Sequence, residues 1–315
     1  MLFSFTFAKA RDDQSEREMH VLPSFHADAA DGPNPPRVIL DTGPSRAGGH
    51  QMETYETCPR MFRILEDMAR EGATAKGNRF FLHRGSLVHI GCAHYHAIRA
   101  IHEQGKVRAG DHVLTDVNQL YPPIEAVHIG ADLHPEWRGA LRESEVLVAR
   151  YIEWADMNPN PWEILGVEVE VGIQLAPGEI YTARLDLLVR HRVLTTIHAV
   201  DHKTAYYPQD VPKLYGHSWQ ILGIQEIGRE LWGARWGGVV LNIIASAPKA
   251  KVPVLRVPPA PAPALAERFR GHALARRLEM RQAQREPTSA APMRLCSCRR
   301  PREGPCPVYS ICAVT

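Results

Sequence analysis

The chain has 315 residues, 44% of them hydrophobic, enough for a full buried core in one large domain or two smaller ones. A formal net charge of +2 and a pI of ≈ 8.2 are near balance, so bulk charge does not demand a nucleic-acid partner, and any such contact must come from local patches. No apolar run approaches the roughly 20 residues that span a bilayer, and residues 1–7 lack the basic flank of a signal peptide, so the expectation is a cytoplasmic protein with no membrane partner.

Residues 1–48 read as an irregular arm, broken by Asp31-Gly32-Pro33-Asn34-Pro35-Pro36 and carrying one short strand at 37–40. From Gln51 a helical pattern sets Tyr55, Cys58, Phe62 and Leu65 at three- and four-residue spacing. A second helix over 85–101 carries Leu87, Val88, Cys92, Tyr95 and Ile98, with His89 within it and His94 and His96 read as surface. Residues 106–133 read as loop, and a third helix runs over 135–156. In the strand over 162–175, Val167-Glu168-Val169-Glu170-Val171 alternates. The valines take one face and the glutamates the other, read as half-solvated in preference to extra metal ligands.

The next two runs carry the chemistry. Tyr181-Thr182-Ala183-Arg184-Leu185-Asp186 ends in an acid, and Thr195-Thr196-Ile197-His198-Ala199-Val200-Asp201-His202-Lys203-Thr204 follows through Arg190-His191-Arg192. Together they read as a hairpin. Neighbouring strands lie about 5 Å apart, so Asp186 and Asp201 at one level can share a divalent cation. Lys203 alternates with Asp201 and leaves the same strand face. Two carboxylates and an ammonium on one face suit metal-assisted phosphodiester hydrolysis.

A helix over 213–232 follows, with His217, Trp219, Gln220 and Ile224, then strands over 237–244 and 251–257. The Pro-rich 258–263 stretch is a stiff connector into a helix over 264–285. Its Arg268, Arg270, Arg276, Arg277, Arg281 and Arg285 read as a solvated face or, alternatively, as a phosphate-tracking surface. Of six cysteines, Cys296, Cys298, Cys306 and Cys312 cluster in the tail, while Cys58 and Cys92 lie far upstream. Such clustering in a large intracellular chain points to metal rather than disulfides. Cys92 reads as core, and four tail thiolates around Zn²⁺ are one arrangement.

In order, these signals are Tyr55-Glu56-Thr57-Cys58-Pro59-Arg60-Met61-Phe62, Gly85-Ser86-Leu87-Val88-His89, Asp186, Asp201-His202-Lys203, His217-Ser218-Trp219-Gln220 and the terminal Cys306-Pro307-Val308-Tyr309-Ser310-Ile311-Cys312. The set resembles the PD-(D/E)xK nucleases, and within them the RecB-like exonucleases with an iron–sulfur cluster, such as CRISPR-adaptation and phage-encoded nucleases. The resemblance implies an α/β, restriction-endonuclease-like core, a mixed sheet flanked by helices, over 49–290, and a cluster-binding tail over 291–315. It makes His89, Asp186, Asp201 and the backbone carbonyl of His202 the ligands of Mg²⁺ or Mn²⁺, with Asp186, Asp201, Lys203 and Gln220 catalytic. Cys58, Cys298, Cys306 and Cys312 would hold a [4Fe–4S] cluster, with Cys296 the alternate to Cys298. The implied activity is a DNA exonuclease acting on single strands or DNA ends, with protein partners in DNA processing. The alternative is a catalytically silent module that only grips DNA or a partner. Two positions depart from the family pattern: Ala183 stands where a glycine is usual, and Ile224 where a tyrosine is expected.

Overall fold

The computed structural model of the chain describes residues 25–27, 37–40, 43, 45, 47–70, 80–110, 112–158, 160–259, 263–287, 299–300 and 304–305. The elements begin with β1 (Phe25–Ala27), β2 (Val38–Leu40), α1 (Gly49–Thr57), α2 (Pro59–Arg70), α3 (Phe80–Gln104), β3 (Val107–Ala109), β4 (His112–Leu114), α4 (Pro123–Leu133) and α5 (Leu141–Met157). They continue with β5 (Trp162–Ala176), β6 (Glu179–His191), β7 (Ile197–Ala205), α6 (Val211–Tyr215), α7 (Trp219–Trp232), β8 (Trp236–Ala245), β9 (Val254–Val257) and α8 (Pro263–Arg285). A mixed seven-stranded sheet in the order β4-β3-β5-β6-β7-β8-β9 carries the site. The pairs β3–β5 and β7–β8 are parallel, while β5–β6, β6–β7 and β8–β9 are antiparallel.

Helix α3 is apolar on most of its circumference because it lies between two layers. Ala93, Ala97 and Ala100 pack with Val167, Leu187, Val189 and Val200 of the sheet, and these small side chains let the helix axis approach closely. Leu87, Val88, Ile90, Cys92 and Tyr95 face α4 and α5, packing with Val127, Leu147 and Tyr151. A Cβ on Gly91 would sit 2.6 Å from Val148 Cγ2, so this crossing with α5 requires glycine. The other sheet face is covered by α1, α7 and α8 around Met52, Tyr55, Ile221, Ile224 and Phe269. Here Gly49 lets α1 lie against the first turn of α7, since a Cβ there would come within 2.5 Å of the Gln220 nitrogen.

Several sequence expectations need correction. Residues 106–133 hold β3, β4 and α4; the strands are too short to show a period, and the Pro122-Pro123 breaker starts a helix, a position where the missing N–H costs nothing. The helix expected over 213–232 is two, because Ser218 caps α7 by accepting the Ile221 amide at 3.1 Å. Asp186 lies in the middle of β6 rather than at its end. His94 and His96 are buried. His94 accepts the Leu40 amide on Nε2 at 3.2 Å and holds Tyr121 O at 3.0 Å through Nδ1, which fixes a neutral ring, and burial lowers its pKa to about 4. Neither Glu168 nor Glu170 is solvated. The arginines of α8 are in good part structural: Arg270 pairs with Glu226 and Glu230, Arg276 with Glu56, and Arg281 with Glu179. Cys296, Cys298, Cys306 and Cys312 lie outside the described residues, and so does most of the 1–48 arm.

Candidate active site

The site opens where two strands part. β6 and β7 are laddered from Arg190↔Ile197 to Leu187↔Val200, and the pairing stops one step before Asp186 and Asp201. Beyond that point the Asp186 carboxylate accepts the His202 amide at 2.5 Å, taking the place of a ladder carbonyl. β7 stays paired with β8 as far as Ala205, so its own course is fixed while β6 diverges.

The two strands under the opening also change faces there. In a regular strand, residues two apart share a face. Yet Val167 packs in the core beneath α3 and Val169 in the core beneath α7, and Leu187 and Leu185 of β6 divide the same way. Glu168 sits at the switch with φ 52, in left-handed backbone that a non-glycine residue rarely adopts. It is 5% exposed. One ligand atom each from His89, Glu168 and Asp186 lie within 4.8 Å of one another. His89 arrives from α3, with Nδ1 3.4 Å from Asp186 Oδ2. An imidazole nitrogen with carboxylate oxygens is a donor set that fits Mn²⁺ or Mg²⁺.

Asp201 and Lys203 form a second half beside the first. Lys203 Nζ lies 2.6 Å from Asp201 Oδ2 and donates to Gln220 Oε1 at 3.2 Å, and Gln220 Nε2 donates to Asp201 Oδ1 at 2.7 Å. The Tyr215 ring centroid is 4.9 Å from Nζ. The aromatic contact to the lysine thus comes from α6, while Ile224 belongs to the core. His202 points to the opposite layer, where Nδ1 meets Asn242 Nδ2 at 2.8 Å and the ring stacks on His96 at 5.6 Å. Burial holds its pKa down at about 3.

The charges are balanced by contact. Burial pushes the Asp186 carboxyl up, but His89, with His202 and Lys203, draws it down and the net shift is downward. Burial lowers His89, and Asp186 overcomes it to raise the imidazole above its ordinary value. Burial likewise opposes the Lys203 charge, but Asp201, Tyr215 and Asp186 keep the ammonium protonated well past neutral pH. Asp201 is drawn both ways: burial, with Asp186, raises it and Lys203 lowers it. The 2.6 Å contact favours the ionised pair.

Sequence reasoning set Glu168 aside as half-solvated and missed Tyr215. The face switch hides the first and a helix break the second, and only the left-handed position of Glu168 marks it as unusual. Cys58 is buried between α1 and α2, and its Sγ accepts the Met61 amide at 3.5 Å.

A mixed sheet with two acids, a lysine and a helical histidine gathered at a parted strand pair defines a restriction-endonuclease-like architecture. Residues 50–313 match the PD-(D/E)XK nuclease superfamily, and the chain belongs to it. No curated protein matches the chain.

Proposed function

We propose that the protein is a metal-dependent deoxyribonuclease that works as an exonuclease on single-stranded DNA or DNA ends. The observation that carries this reading is the convergence of His89, Glu168 and Asp186 on one point beside the Asp201–Lys203–Gln220 network. His89, Asp186, Asp201 and the His202 carbonyl would hold Mg²⁺ or Mn²⁺, with Glu168 an added ligand. Such an ion supplies Lewis-acid polarisation of the phosphate and a water of lowered pKa. Lys203 stays protonated, so its role is to orient the attacking water or to offset charge on the phosphate, not to act as a base. Gln220 fixes both Lys203 and Asp201 in rotamer.

The RecB-like subtype, the exonuclease mode and a [4Fe–4S] cluster on Cys58, Cys298, Cys306 and Cys312 (Cys296 in place of Cys298 as the alternate) rest on the likeness of the Cys58-Pro59 phrase and the terminal cysteines to that subtype. The same likeness supports a division into a 1–48 arm, a 49–290 core and a 291–315 tail, in a cytoplasmic DNA-processing protein. The test is digestion of end-labelled single- and double-stranded DNA with Mg²⁺ or Mn²⁺. Chelator-sensitive shortening from an end is expected; intact DNA with either metal would overturn the reading.

A further inference from the structure

After Lys203 the chain leaves β7 at Ala205 and presents two exposed rings. Tyr206 and Tyr207 are 58% and 61% exposed and pack edge to face at 4.9 Å. Their loop is held: Ala205 O accepts the Ser246 amide at 2.8 Å, and Tyr207 O accepts the Asp210 amide at 3.2 Å. The Ser246 bond ties this loop to the one that follows β8. Lys213 on α6 and Lys249 and Lys251 on the second loop are exposed, three of the chain's seven lysines. Across residues 203–214 and 246–253 the single acid is Asp210. Arg270, Arg276 and Arg281 of α8 are engaged with acids of their own fold, whereas this patch is a net cationic surface with aromatic faces bared a few residues beyond Lys203 in the chain.

We propose that this patch is a binding track for single-stranded DNA, with Tyr206 and Tyr207 stacking on unpaired bases and Lys213, Lys249 and Lys251 receiving phosphates. The proposal rests on the nuclease reading above and names its substrate form. Bases in a duplex have both faces covered by their neighbours, so an exposed tyrosine pair gains its stacking contact from a single strand. Phosphate attraction alone would serve either form. At about 3.3 Å per residue of extended chain, Tyr206 lies roughly 10 Å of chain beyond Lys203. That is about three base steps at 3.4 Å each, so the stacked bases would sit a few nucleotides from the bond cut.

The test is fluorescence anisotropy of labelled dT20 and of a 20-bp duplex with the full chain in EDTA, where no turnover occurs. Wild type should prefer dT20. Tyr206→Ala with Tyr207→Ala should weaken dT20 at least tenfold and leave the duplex unchanged. Tyr206→Trp with Tyr207→Trp should retain dT20 binding, which a hydroxyl-dependent structural role would not allow. Lys249→Ala with Lys251→Ala should flatten the salt dependence for both DNAs. A double alanine variant that binds dT20 like wild type, or loses both DNAs equally, overturns the proposal. In the first case the rings face something other than DNA, such as a protein. Tyrosine-dependent binding without any metal-dependent cleavage would sink the nuclease reading alone; cleavage with tyrosine-independent binding would sink this one alone.

Discussion

Glu168→Gln separates a metal ligand from a structural acid. The change removes one buried negative charge while keeping side-chain volume, and glutamine tolerates the backbone at φ 52 no worse than glutamate. The ligand atoms of His89, Glu168 and Asp186 lie within 4.8 Å of one another. Two carboxylates at that distance repel by roughly 3.5 kcal/mol at an effective dielectric of about 20, and His89 offsets part of this. Without metal the variant should therefore unfold at or above the wild-type temperature. With Mn²⁺ at about 100 times its dissociation constant, wild type gains about 2.7 kcal/mol, or roughly 5 °C in Tm. Losing an anionic ligand should weaken Mn²⁺ on the order of a hundredfold, which cuts that gain to about 0.4 kcal/mol. Thermal unfolding with and without MnCl2, paired with calorimetric titration of Mn²⁺, reads both quantities. A variant less stable than wild type when metal-free, with unchanged Mn²⁺ affinity, would show that Glu168 serves the fold and not the metal.

Asp201→Asn should slow DNA cleavage at least a hundredfold under saturating Mn²⁺, read on end-labelled substrate. Lys203→Ala alone would leave Asp201 buried beside Asp186 and cost about 3–5 kcal/mol, so Asp201→Asn with Lys203→Met should melt higher than Lys203→Ala while remaining inactive. Cys58→Ala should strip iron from anaerobically purified protein, measured by metal analysis; full iron content in that variant would remove Cys58 from the cluster. His94 is neutral in the fold with a pKa of about 4, against 6.5 when unfolded, so the unfolded chain binds the extra proton between those values. Its contribution is complete above pH 6.5 and falls by about 1.4 kcal/mol per pH unit as pH drops toward 4. Urea titrations at several pH values should show a slope shallower by one proton in His94→Asn.

The Asp201–Lys203 pair was legible because β7 keeps strict alternation through both residues, so they fall on one face and meet Gln220 there. Glu168 was illegible for the converse reason: alternation on β5 breaks at that residue, and a pattern of period two assigns it to the wrong layer. His94 and His96 were read as surface because their partners are remote. Tyr121 O lies 27 positions from His94, and the Tyr151 hydroxyl lies 55 from His96, so neither is visible in a local pattern. The α8 arginines misled in the same way, since Glu56 and Glu179 come from elements far upstream.

Three consecutive residues at the centre of a sheet, Asp201, His202 and Lys203, would ordinarily destabilise it, because buried charges are tolerated only when paired. The chain solves this with separate partners on the two faces. Gln220 and Tyr215 hold Lys203 against Asp201 on the α7 side, while Asn242 takes His202 on the α3 side, and Arg256 donates to Asn242 Oδ1 at 3.3 Å from between the rings of Trp154 and Trp162. Asp186 and Asp201 each have a basic side chain of the chain beside them, His89 and Lys203. These two carboxylates can therefore sit at the parted strands without a metal to hold them. Binding a divalent ion through His89 requires that its proton leave, so metal uptake should release protons rather than reorganise the sheet.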